Sequence, residues 1–133
     1  MREFAHSQTL ELLKRFGVQR NRAERSGDPE AIHDLRVSIR RLSRCLRVFA
    51  QFYSGSGWKK IRRRLKGLME CCGAVRDRDI ALDLLTRAGF PPTSIVMLRL
   101  NLERAEALED LMAELRRWRV RRPSREWRME LGL

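Results

Sequence analysis

A chain of 133 residues has room for one modest core, which argues against an enzyme built of separate cofactor and substrate lobes. Its 29 Lys+Arg stand against 17 Asp+Glu, a net charge of +12, while 43% hydrophobic content is ordinary for a folded protein and unlike a disordered one. The opening residues lack the apolar stretch of a signal peptide, and no run approaches the roughly 20 apolar residues of a membrane span, so a soluble cytoplasmic protein is expected.

The first segment, about residues 2–25, sets Phe4, Leu10, Leu13 and Phe16 or Val18 on a loose helical stripe, weakened at Gly17. Asp28 as N-cap, Pro29 at the first helical position and Glu30 in the first turn then announce a second helix. Along it Ile32, Leu35, Ile39, Leu42, Leu46, Phe49 and Tyr53 recur every three or four residues, one face of a bundle helix. A Gly/Ser turn at 54–57 leads to a third segment from Trp58 through Ile61, Leu65, Leu68, Cys72 and Val75, with Gly73 kinking or ending it. Past Asp79 the pattern shifts phase to Ile80, Leu84 and Leu85, either a bent continuation or a separate helix. After Pro91-Pro92, with Thr93 or Ser94 as cap, the last long segment carries Ile95, Leu98, Leu102, Ala105, Leu108, Met112, Leu115 and Trp118. Residues 123–133 form a short helix or fray.

The prediction is all-α: one domain over residues 1–133, an antiparallel bundle of about four long helices. Cys45, Cys71 and Cys72 fit neither a disulfide framework nor a zinc site, so reduced thiols and no metal are expected. No nucleophile–base pair or glycine-rich phosphate loop is present, which points to a non-catalytic protein without a cofactor.

Charge concentrates along the chain. Residues 29–53 hold five Lys/Arg against two acids, 54–79 eight against three, and 116–133 seven against two, whereas 80–115 hold three against six. At 100° per residue, His33, Arg36, Arg40, Arg44 and Arg47 fall within an arc of about 80°, centred roughly 125° from the apolar stripe of the same helix. Lys59, Arg62, Arg63 and Lys66 cluster likewise on the third segment. A solvated face mixes signs in i, i+4 pairs; a one-sign ridge costs repulsion and calls for an anion. Packed as a hairpin, the two helices would flank one basic groove. The aromatics fall mostly on apolar stripes, leaving few faces for base stacking, so a base-free polyanion is preferred over nonspecific nucleic-acid binding or a basic adaptor role.

The run Ile32-His33-Asp34-Leu35-Arg36-Val37-Ser38-Ile39-Arg40-Arg41-Leu42, followed by Leu46-Arg47-Val48-Phe49, closely resembles the signature of the CHAD family, the conserved histidine α-helical domain. A second block, Leu65-Lys66-Gly67-Leu68 and then Gly73-Ala74-Val75-Arg76-Asp77-Arg78-Asp79-Ile80, resembles that family's Gly-x-x-Arg-Asp-x-Asp-Val element. The resemblance implies a helical bundle that binds inorganic polyphosphate, associated with polyphosphate granules or fused to triphosphate tunnel enzymes. It extends to the first of the family's usual two halves. Ser43 stands where a further Arg is common and Cys72 where Leu is common, and the Glu-x-Glu-x-Lys pattern of tunnel enzymes is missing, so their catalysis is not implied.

Phosphates in such a polymer repeat about every 3 Å against about 5.4 Å per helical turn, so two helices supply nearly one cation per phosphate. The expected ligands are Arg36, Arg40, Arg44, Arg47, Lys59, Arg62, Arg63 and Lys66, with Arg41 at the groove edge or in a subunit contact. His33 either donates to phosphate at its helix N-terminus or bonds a backbone carbonyl. Arg76 would reach the groove while Asp77 and Asp79 pair with it or with Arg78. A homodimer is expected to replace the missing half, through apolar surface such as Trp118 and Trp127.

Overall fold

The computed structural model describes residues 1–121 and 123–133; the side chains of 119–121, 123 and 124 lie outside that description, so Arg119, Arg121 and Arg122 of the basic stretch at 116–133 fall outside it. Among the described residues five helices follow in order: α1 (Arg2–Ser26), α2 (Pro29–Val48), α3 (Gly57–Arg87), α4 (Ile95–Arg121) and α5 (Pro123–Leu131), with one 3-10 turn at Ala50–Phe52. Among the described residues there is no strand. The long helices pack antiparallel in sequence, α1 on α2, α2 on α3 and α3 on α4, and α5 returns to α3 and α1.

The helix boundaries follow from local chemistry. Gly27 ends α1 in the left-handed region at φ 65°, its N–H donating to the Ala23 carbonyl at 2.9 Å. A side chain there would begin 3.0 Å from Met112 Cε, so the position demands glycine twice over. Asp28 caps α2, its carboxylate accepting from the Ala31 N–H at 2.8 Å ahead of Pro29.

The core is built from Leu13 and Phe16 of α1, the stripe Ile32 to Leu46 of α2, Ile61 to Val75 of α3, Leu111, Leu115 and Trp118 of α4, and Trp127 and Leu131 of α5. Phe16 meets both tryptophans, with ring centroids 5.2 Å from Trp118 and 5.9 Å from Trp127. The two indoles stand edge to face at 5.1 Å, which docks α5. They are buried in their own chain, so the expected subunit contact through Trp118 and Trp127 is not available.

Several expected faces differ. In α1 the inward row is Ala5, Thr9, Leu13, Phe16, Arg20 and Ala23, while Phe4 and Val18 are exposed. Small and polar residues hold that row, Thr9 by hydrogen-bonding Tyr53 Oη at 2.6 Å and Arg20 by donating to the Leu115 carbonyl at 2.9 Å. Phe49 and Tyr53 lie beyond the end of α2, and the 3-10 turn brings Tyr53 back into the core. Gly73 does not end α3, which continues as one helix to Arg87, so residues 76–87 are a continuation and not a separate helix. On α4 the expected Ile95, Leu98, Leu102 and Ala105 are exposed, while the expected Leu108, Met112, Leu115 and Trp118 do meet the core, joined by Met97 and Leu111. The shift has a simple cause: α1 and α2 meet at Gly27 beside Leu108 and Met112, so only the later half of α4 lies against them.

Candidate functional site

The short connection between α2 and α3 brings their outward rows side by side. Arg40 and Arg44 from α2 and Lys59, Arg62, Arg63 and Lys66 from α3 line a groove of about 710 Å³. Its floor is apolar, made by Ile39, Leu65, Met69 and Trp58, and Glu70 is the sole acid along it among the described residues. Arg62 Nε donates to Ser43 Oγ at 3.2 Å, tying α3 to α2. Lys59 Nζ lies 5.6 Å from the Trp58 ring centroid.

What sets this groove apart is the number of unpaired cations gathered along one line, since single cations without an ion pair, such as Arg2, Lys14, Arg25 and Arg99, also occur elsewhere on the described surface. Outside it, Arg15, Arg20, Arg22, Lys60, Arg78, Arg87, Arg104 and Arg117 each hold a carboxylate. Among the described residues none of the six groove cations does. Two other cations in the first turns of α3 point elsewhere: Lys60 pairs with Glu130 at 3.4 Å, and the Arg64 guanidinium lies 5.0 Å from the Trp118 ring and 5.7 Å from Trp127. Thus over residues 59–66 α3 divides its basic residues between a structural face toward α5 and an unpaired face toward α2.

The other expected ligands lie outside the groove lining. Arg36 is half-buried on the same row of α2, and its Nε is buried with no hydrogen-bond partner. It lies near Cys72, whose thiol burial pushes up to about 12 and whose neighbour Cys71 adds to the rise, while Arg36 opposes it. Arg47 is exposed at the last turn of α2, and Arg76 is half-buried without an ion pair among the described residues. Arg41 lies on the opposite side of α2, in a crevice shared with Arg15, Gln19 and Asp34. His33 is exposed and, among the described residues, bonds no backbone carbonyl, which removes its structural reading. Asp79 pairs across helices with Arg104, which also donates to the Gly27 carbonyl at 3.0 Å, and Arg78 reaches Glu103 at 3.6 Å. The expected pairing of Asp77 and Asp79 with Arg76 or Arg78 is therefore not formed, because Asp79 faces α4.

Trp58, Met69 and Ser43 are groove residues that a search for cations passes over. Trp58, Arg62, Lys66 and Met69 are spaced by four, four and three, one face of α3, so the signal was in the register. Among the described residues no group of three or more His, Cys, Asp or Glu is placed to hold a metal ion, and no helix is long and apolar enough to cross a membrane. What the arrangement offers chemically is charge and directed N–H donors along a line, suited to an extended anion with many oxygens.

Residues 9–131 match the family model described as the CHAD domain. No curated protein and no solved structure gives a significant match to the chain.

Proposed function

The chain belongs to the CHAD domain family, and on that premise we propose that it binds inorganic polyphosphate in the groove between α2 and α3, as a binding module that performs no reaction on it. The observation that carries this reading is the segregation of charge: six cations from two helices line one groove and, among the described residues, none is neutralised within the chain. Keeping such cations together without partners costs repulsion that a bound polyanion relieves. Arg36, half-buried one turn before Arg40 on the same row of α2, adjoins the site. His33, Arg47 and Arg76 extend the path of the polymer beyond the groove ends, and Arg41 serves a different surface. The same reading puts the protein in the cytoplasm with polyphosphate granules.

Polyphosphate is favoured over nucleic acid because the groove offers one aromatic side chain, Trp58, where a single-strand binder stacks successive bases on several. The test is a titration with polyphosphate and with duplex DNA of matched charge at two salt concentrations. Tighter binding of polyphosphate, falling steeply with salt, is the expected result. Equal affinities would leave a nonspecific polyanion binder.

A further inference from the structure

The first half of α4 carries an apolar face that the rest of the described chain leaves open. Ile95, Leu98 and Leu102 are 85, 52 and 69% exposed, and with the exposed Ala105 they are spaced three, four and three apart. That spacing is the seam of two paired helices. Glu103 and Arg104, which pair with Arg78 and Asp79, mark the side of α4 that faces α3. By the helical repeat the seam lies roughly on the opposite side. Further along, the same outward face continues into a shallow recess bordered by Ala105, Leu108, Glu109, Met112 and Ala113.

Charge narrows the choice of what covers it. Residues 80–115, with three Lys/Arg against six acids, form the one net-negative span; residues 1–28, with six against four, are positive like all the others. Two copies at +12 repel wherever basic surfaces meet, so α4 is where they approach at least cost. The edge of the seam is also marked in both signs. Arg99 and Glu106 are seven residues apart on that edge, and among the described residues neither has an ionic partner.

We propose that this face takes a second copy of the chain, with the two α4 helices antiparallel about a two-fold axis beside Leu102. An axis midway between positions 99 and 106 sets each copy's Arg99 against the other's Glu106. It also brings the two Leu102 side chains together at the centre, where Ala105 is small enough for close approach. By these exposures the patch is roughly a few hundred Å² per copy, at the upper end of what a monomer leaves open and below a standard interface, which fits a weak dimer. The groove opens between α2 and α3 and stays free in this arrangement. The inference therefore stands apart from the polyphosphate reading.

Sedimentation velocity of the full chain across the micromolar range tests it. The expected result is a monomer–dimer equilibrium that Leu102→Glu abolishes, with helicity by circular dichroism unchanged. Arg99→Glu and Glu106→Arg should each weaken the dimer roughly three- to tenfold, and Arg99→Glu with Glu106→Arg in one chain should restore it. A wild-type chain that stays monomeric, a dimer indifferent to Leu102→Glu, or a double reversal no better than the single ones overturns the proposal.

Discussion

Arg62 of α3 donates through Nε to the hydroxyl of Ser43 on α2 at 3.2 Å, so one of the groove's own cations fastens its two walls together. The bond leaves the terminal nitrogens of the guanidinium available while fixing its plane. Ser43→Ala should accordingly weaken polyphosphate binding two- to fivefold, within the roughly 0.5–1.5 kcal/mol of one hydrogen bond, and leave the salt dependence unchanged. Arg62→Ala removes a charge as well, and the slope of log affinity against log salt should fall by roughly 0.7–0.9. Isothermal titration at several salt concentrations reads both.

Position should matter more than net charge. Arg40→Glu, in the groove, is expected to weaken polyphosphate binding at least tenfold, whereas Arg25→Glu, an equal charge change on an exposed turn of α1, should cost less than threefold. Arg20 is unsuitable as the comparison because its buried guanidinium holds the Leu115 carbonyl at 2.9 Å and Glu24 at 3.2 Å, so reversing it would unfold α1 from α4. Equal losses at positions 40 and 25 would reduce the site to bulk charge.

Arg64 separates stability from binding. Its guanidinium lies over Trp118 and Trp127, the pair that docks α5. Arg64→Ala should lower the unfolding free energy in urea by about 1–2 kcal/mol, with Arg64→Lys recovering part of it. Polyphosphate affinity should change less than twofold. A large loss of affinity would mean that the basic residues of α3 act as one set.

How much of this was legible in the sequence depended on what chemistry each residue shows locally. The cap at Asp28 and the α2 stripe as far as Leu46 follow from spacing alone and are present in the fold, while of the expected basic row of α2 only Arg40 and Arg44 line the groove with the four cations of α3. Thr9 and Arg20 gave no sign of burial, because their partners Tyr53 and Leu115 are 44 and 95 residues away. The α4 stripe misled for a related reason: periodicity shows which residues share a face, and the reach of α1 and α2 decides whether that face is covered. Arg64 and Lys60 are not among the expected ligands, but their partners Trp118, Trp127 and Glu130 lie too far along the chain for spacing to reveal them.

Alkaline pH should loosen the core in a predictable direction. Burial pushes the Cys72 thiol from its ordinary value near 9.0 up to about 12, and burial pushes Tyr53 up as well. Between those two values the unfolded thiol loses its proton and the folded one keeps it, so unfolding releases protons and stability falls as pH rises from about 9. Urea midpoints measured from pH 8 to 11 should decline, and less steeply in Cys72→Ala, whose lower starting stability reflects the cavity. At neutral pH, half-buried Cys71 should react with a thiol reagent before Cys45 or Cys72, both buried.

The uninterrupted course of α3 from Trp58 to Glu70 sets a ruler for any linear ligand. The groove-lining stretch from Trp58 to Glu70 extends about 18 Å at 1.5 Å per residue. A polymer longer than that overhangs both ends, and each overhang is chemically identical to the bound stretch. Every extra unit thus adds a register in which the same groove is filled, so affinity per polymer keeps rising with length through the number of equivalent placements alone. The overhangs are also vacant lattice sites, so several copies would load onto one long chain, and saturation would scale with phosphate units and not with polymer molecules.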